Sequence, residues 1–188
     1  MGIPYQPEED PLDLNVYSKI VIKPFIALLK SEDLGEPAFK IEPGRYLSAE
    51  SNIILTQINT IKNNGFKLFA GVDAGFNTLL RPILYDSYHH IIPCNKKGKE
   101  KTLTYDVAGP ICESGDILGK NRELLKLNEK EFLAILDTGA YGFTMSSNYN
   151  SRPRPAEILI KDDYIHKIRE AEAFDDLLKR QIIPDHLK

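Results

Sequence analysis

Asn63-Asn64-Gly65 stands between two apolar, β-prone runs, Ile53 to Ile61 and Phe66 to Val72. Asn and Gly tolerate the backbone of a tight reversal, so this stretch reads as a β-hairpin. It commits the middle of the chain to a sheet. Further β-prone runs cover Ile83 to Pro93, Leu103 to Val107 and Phe132 to Leu136, and Ala156 to Ile160 reads as a last strand. Lys96 to Lys101 is a charged loop.

The flanks have a different period. The first 12 residues are acidic and Pro-rich and read as a loop. From Asp13, the residues Val16, Tyr17, Ile20, Val21, Phe25, Leu28 and Leu29 recur every three to four positions, as in an amphipathic helix. Pro24 should kink or split it, and Gly35-Glu36-Pro37 should end it. Ala38 to Ile41 then alternates like a short strand. Near the C-terminus, Ile165, Ile168, Ala171, Phe174, Leu177 and Leu178 predict a helix, with Asp162 and Asp163 at its start and Lys179 and Arg180 near its end. The expected organisation is an α/β piece over 1–45, then a mostly β domain over 46–188 with a C-terminal helix packed on it.

Composition narrows the function classes. Apolar residues are 42% of the 188, enough for a sizeable core, and the formal net charge of −3 disfavours a dedicated nucleic-acid binder. Cys94 and Cys112 are too few for a disulfide scaffold and read as reduced thiols. The start lacks the basic and apolar regions of a signal peptide, and no apolar run approaches the roughly 20 residues of a membrane helix. The expectation is a cytoplasmic protein without a membrane or nucleic-acid partner.

Several short motifs carry chemistry. Glu42-Pro43-Gly44-Arg45 follows the expected strand, at the end where α/β folds hold ligands. Gly44 permits close backbone approach, Arg45 offers a fork for phosphate or carboxylate, and Glu42 is the acid placed to enter such a site. A turn followed by a surface arginine explains the same four residues. Arg81 and Tyr85 set a cation and a phenol four residues apart, suited to clamping a carboxylate, or simply a snorkelling arginine.

Cys112 lies beside two acids, Glu113 and Asp116, which disfavour its thiolate and suit it to proton donation. The bland alternative is a small buried residue in a turn, the reading given to Cys94. Tyr141 is flanked by small residues in Gly139-Ala140-Tyr141-Gly142, with room to reach a ligand or to mark a bend. Asn148 to Pro155, with Arg152 and Arg154, reads as a rigid joint. His89-His90 reads as a structural pair, without the acids or cysteines of a metal site.

Taken in order, five motifs resemble the C-terminal half of the diaminopimelate decarboxylase family of pyridoxal-phosphate enzymes. They are Glu42 to Arg45, Asp73 to Pro82, Gly109 to Asp116, Gly139 to Gly142 and Ser146 to Pro155. The resemblance spans nearly the whole chain. It implies a mainly β fold with an α/β stub: the β-sandwich or barrel-like domain of a fold-type III decarboxylase, preceded by the last part of a (β/α)8 barrel.

It also implies pyridoxal 5'-phosphate as cofactor and conversion of meso-diaminopimelate to L-lysine and carbon dioxide. In the family, the residue matching Glu42 pairs with the cofactor's ring nitrogen. Gly44, Arg45 and Tyr141 match residues around its phosphate, and Arg45 and Tyr141 also match substrate contacts. Arg81 and Tyr85 match residues holding the distal carboxylate, and Glu113 matches one binding the distal ammonium. Cys112 matches the proton donor, reaching with Glu113 into the partner's site of a head-to-tail homodimer.

The family's Schiff-base lysine and glycine-rich phosphate loop precede the matched region. Lys40 aligns with a strand residue and is not that lysine. The isolated chain is therefore expected to lack catalysis unless a barrel-containing partner chain supplies the rest. The rivals are a non-catalytic partner module, a decayed fragment, or a decarboxylase of ornithine, arginine or carboxynorspermidine.

Overall fold

A computed structural model describes residues 2–95 and 101–187. The hairpin forms as its turn demands. β1 (Ile54–Asn63) pairs antiparallel with β2 (Leu68–Val72). The side-chain oxygen of Asn64 accepts from the Phe66 and Lys67 amides, and Gly65 takes φ +90°. These local bonds satisfy the turn backbone, and only glycine enters that φ without strain.

Four more strands complete the main sheet: β3 (Ile91–Pro93), β4 (Thr102–Ala108), β5 (Ile117–Leu125) and β6 (Phe132–Ile135). Their order is β3-β6-β1-β2-β4-β5. The β2–β4 pair is parallel and every other pair antiparallel. The edge strands β3 and β5 approach one another: a Cβ added at Gly119 would stand 2.7 Å from Ile91 Cδ1. The sheet thus curls into a nearly closed barrel. Its interior is filled by Ile58, Val72, Tyr105, Val107, Leu118, Leu133 and Ile135, all buried. The expectation of a mainly β fold holds.

Several sequence expectations fail, each for a visible reason. Ala38 to Ile41 is irregular and exposed, because no strand among the described residues lies beside it to supply ladder hydrogen bonds. In Ile83 to Pro93 only β3 is a strand; the segment starts in the short helix α4 (Arg81–Tyr85), closed by Asp86 in the left-handed conformation. β5 went unread because Lys120 to Glu123 interrupt its apolar pattern.

The predicted C-terminal helix is mostly a second hairpin. β7 (Glu157–Lys161) pairs with β8 (Tyr164–Arg169), turning at Asp162 with φ +54°. Helix survives only as α6 (Phe174–Leu178). Cys94 is exposed rather than buried. Of the charged loop Lys96 to Lys101, residues 96–100 lie outside the described residues.

The N-terminal helix forms in two pieces, α1 (Leu14–Tyr17) and α2 (Lys23–Ser31), joined by a π-turn over Ser18–Ile22. Pro24 cannot donate to the preceding turn, and the wider π-turn directly before it absorbs the mismatch. No residue of either helix is buried.

Candidate active site

A glycine at the start of a short helix sets the geometry. Gly44 has φ +46° and opens α3 (Arg45–Ser48), which runs into a 3-10 turn over Ala49–Ser51. The segment Thr138 to Tyr141 docks on this unit. The Gly139 amide donates to the Ala49 carbonyl at 2.9 Å and the Thr138 amide to the Asn52 carbonyl at 3.0 Å. The approach is so close that a Cβ on Gly139 would stand 1.9 Å from the Ser48 carbonyl oxygen. Tyr141 follows at φ +65°, an uncommon conformation for a bulky residue, and begins α5 (Gly142–Met145). Its hydroxyl lies 3.6 Å from where a Gly44 Cβ would be.

Arg81 reaches the same place from the sheet side. Asp73, at the end of β2, accepts from the Thr56 hydroxyl at 2.5 Å and the Gln57 amide at 3.0 Å. The chain then turns through Gly75 to α4, whose first residue is Arg81. Arg81 is only 5% exposed. Its Nη2 donates to Ser87 Oγ at 3.1 Å, while its Nε is buried without a hydrogen-bond partner among the described residues. Its guanidinium lies 5.7 Å from the Tyr141 ring and 5.1 Å from the Tyr5 ring, and that of Arg45 lies 5.9 Å from the Tyr5 ring.

Tyr5 in turn meets His89 edge-on, with ring centroids 5.1 Å apart. His89 is fully buried and its Nδ1 is 2.9 Å from the Leu136 carbonyl, so Nδ1 carries the proton. Burial holds its pKa below the ordinary 6.5, with the Arg81 and Arg122 charges acting the same way, and this outweighs the carbonyl contact.

A second group forms around the loop after β4. Asp116 is buried and anchors it: Oδ1 accepts from the Phe76 amide at 2.7 Å and Oδ2 from the Ile111 amide at 2.8 Å. Burial pushes the Asp116 carboxyl above its ordinary pKa, opposed by these two bonds and by Arg152. The loop exposes Cys112 and Glu113. Asn150 Nδ2 lies 3.4 Å from Cys112 Sγ.

The joint carrying Asn150 is held by Arg154, which donates to Ser146, Asn148 and Glu172 at 2.8 Å each. Burial raises the Glu172 carboxyl, but the bonds from Arg154 and Asn148 prevail and hold it below its ordinary pKa.

The structure therefore brings Gly44, Arg45, Arg81 and Tyr141 together and sets Cys112 and Glu113 on another segment, the loop after β4. Helix α4 touches both, since a Cβ at Gly115 would meet Ile83 Cγ2 at 3.7 Å. Glu42 is exposed in the irregular stretch before Pro43, and Tyr85 is 62% exposed at the end of α4. A hollow of about 500 Å3 beside Tyr88, Lys120 and Arg122 is lined by none of these site residues. Sequence reasoning gave Tyr5 no role in a site and treated Asp116 only as a neighbouring charge. The available signal was Gly109, ahead of it in the same Gly-rich segment: a Cβ there would strike the Asp116 carboxylate.

The first group fits a phosphorylated cofactor and an anionic substrate. Gly44 leaves its backbone bare beside a phenol. Neither Arg45 nor Arg81 forms an ion pair among the described residues. A partly buried pair of unpaired cations is costly unless an anion joins it.

Residues 14–139 match the family model "Pyridoxal-dependent decarboxylase, C-terminal sheet domain". Diaminopimelate decarboxylases from Methanothermobacter thermautotrophicus and Archaeoglobus fulgidus are 48% and 41% identical over 187 residues, in each case 100% of this chain and 44% of the relative. The crystal structure of the M. jannaschii diaminopimelate decarboxylase in co-complex with L-lysine superposes at TM-score 0.90, with 37% identity, over 100% of this chain and 42% of that one. The chain thus spans less than half the length of the curated relatives it matches.

Proposed function

The chain belongs to the pyridoxal-dependent decarboxylases through their C-terminal sheet domain, and from that premise we propose that it is the substrate-recognising half of a diaminopimelate decarboxylase. The reaction converts meso-diaminopimelate to L-lysine and carbon dioxide. The observation that carries this reading is the meeting of Arg45 and Arg81, both without an acid partner among the described residues, at Tyr5, with Tyr141 against Arg81. A phosphorylated cofactor and a substrate with a distal carboxylate suit two such forks, because guanidinium binds phosphate and carboxylate bidentately.

Pyridoxal 5'-phosphate, when bound, draws off the electron pair that departing carbon dioxide leaves behind. Gly44, Arg45 and Tyr141 would hold its phosphate, and Glu42 its ring nitrogen. Arg81 and Tyr85 hold the distal carboxylate of the substrate, Arg45 and Tyr141 make further contacts to the substrate, and Glu113 takes the distal ammonium. Cys112 Sγ delivers the proton to the substrate carbon. Its neighbour Asn150 orients it. Cys112 and Glu113 stand exposed on the loop after β4, which supports their serving the partner's site in a head-to-tail dimer.

Residues 1–45 belong with a lysine-bearing barrel and 46–188 form the sheet domain. The complete absence of buried residues in α1 and α2 supports that division, although the family match starts ahead of it, at residue 14.

The test is decarboxylation by the chain joined to, or mixed with, a lysine-bearing barrel. Meso-diaminopimelate should yield L-lysine with a kcat/KM on the order of a hundred-fold or more above ornithine and arginine. Equal rates on ornithine would overturn the substrate; no carbon dioxide release would overturn the activity.

A further inference from the structure

We propose that Tyr5 is a positioning residue, an aromatic platform shared by the guanidinium groups of Arg45 and Arg81 that holds them at one site. The inference deepens, and rests on, the assignment of both arginines to substrate binding. Two cations brought together repel, and no carboxylate among the described residues offsets either one. The negative face of an aromatic ring is the neutral alternative to a carboxylate. Tyr5 provides it to both, with Arg81 Cζ 5.1 Å and Arg45 Cζ 5.9 Å from one ring centroid. A carboxylate in that place would compete with substrate for the forks; a ring face takes up none of their N–H donors.

The ring is itself fixed. It meets the edge of His89 at 5.1 Å and 69°, and His89 is bound through Nδ1 to the Leu136 carbonyl beside β6. The Tyr5 hydroxyl is buried without a hydrogen-bond partner among the described residues. The platform is therefore the ring and not the hydroxyl, which separates two substitutions. Tyr5→Phe keeps the face and Tyr5→Leu removes it.

The experiment measures both variants in the holoenzyme with meso-diaminopimelate. Tyr5→Leu should raise KM about ten-fold with kcat within about three-fold, because ground state and transition state lose the same contact. Tyr5→Phe should stay within about two-fold of the unsubstituted enzyme in both constants. An unchanged KM in Tyr5→Leu, a loss confined to kcat, or a Tyr5→Phe variant as impaired as Tyr5→Leu would each overturn the proposal.

A second readout stands apart from activity. The side-chain Nε–Hε signals of Arg45 and Arg81 in the NMR spectrum of the chain should both move in Tyr5→Leu and hold in Tyr5→Phe. If they do so while the unsubstituted holoenzyme releases no carbon dioxide, the platform stands and the substrate assignment fails. If both signals ignore Tyr5→Leu, the platform fails whatever the activity.

Discussion

Asp116 uses both carboxylate oxygens as acceptors for backbone amides on two separate segments, Phe76 and Ile111. An amide side chain has one acceptor and turns an NH2 group toward the other amide. Asp116→Asn should therefore cost about 1–3 kcal/mol. It should also speed hydrogen exchange at Phe76 or Ile111; unchanged melting and exchange would refute the anchor.

His89 gives a pH prediction. Its folded pKa lies below the ordinary 6.5, so the unfolded chain takes up a proton that the folded chain refuses. Its contribution to stability is present above pH 6.5 and is lost as pH falls below it. Urea unfolding between pH 7.5 and 5.5 should show this loss, and His89→Gln should flatten it. An identical slope in the variant would contradict a neutral buried His89.

At the scale of elements, the docking of the Tyr141 loop on α3 rests on close backbone contact. Gly139→Ala would drive a Cβ to 1.9 Å from the Ser48 carbonyl, which is backbone and cannot swing aside. A loss of about 1–3 kcal/mol or more should follow, with Tyr141 undocked from Gly44. Gly142→Ala is the control, since its Cβ meets only Thr138 at an ordinary 3.6 Å and should shift stability by less than about 0.5 kcal/mol. Thermal unfolding of the pair checks this.

The elements legible in sequence are those whose cause is local. Asn63-Asn64-Gly65 makes its own turn bonds, so the β1–β2 hairpin was readable. β5 was not, because its polar middle is explained by distant groups: the Asn121 amide donates to Asp106, which Lys67 also holds. In β8 the spacing of Ile165 and Ile168 fits a helix, and only pairing with β7 decides for a strand. The site residues were legible as motifs, whereas the meeting of Arg45, Arg81 and Tyr5 depends on three segments far apart in sequence.

Across the whole molecule, burial is concentrated in the curled sheet. Ile58 is fully buried, whereas Ile20 on the N-terminal helix and Ile165 on the second hairpin are 68% and 74% exposed. Ile58→Ala should cost about 2–5 kcal/mol and Ile20→Ala less than about 0.5 kcal/mol in the unfolding of this chain. A large cost at Ile20 would show that the helix shares the core.

The central claim is that this half chooses the substrate through Arg81. The most direct measurement is the ratio of kcat/KM for meso-diaminopimelate over ornithine, in the holoenzyme with and without Arg81→Ala. Removing the guanidinium should lower that ratio at least about thirty-fold, by loss of one charge-assisted carboxylate pair of about 2 kcal/mol or more. A ratio that Arg81→Ala leaves unchanged would contradict the account.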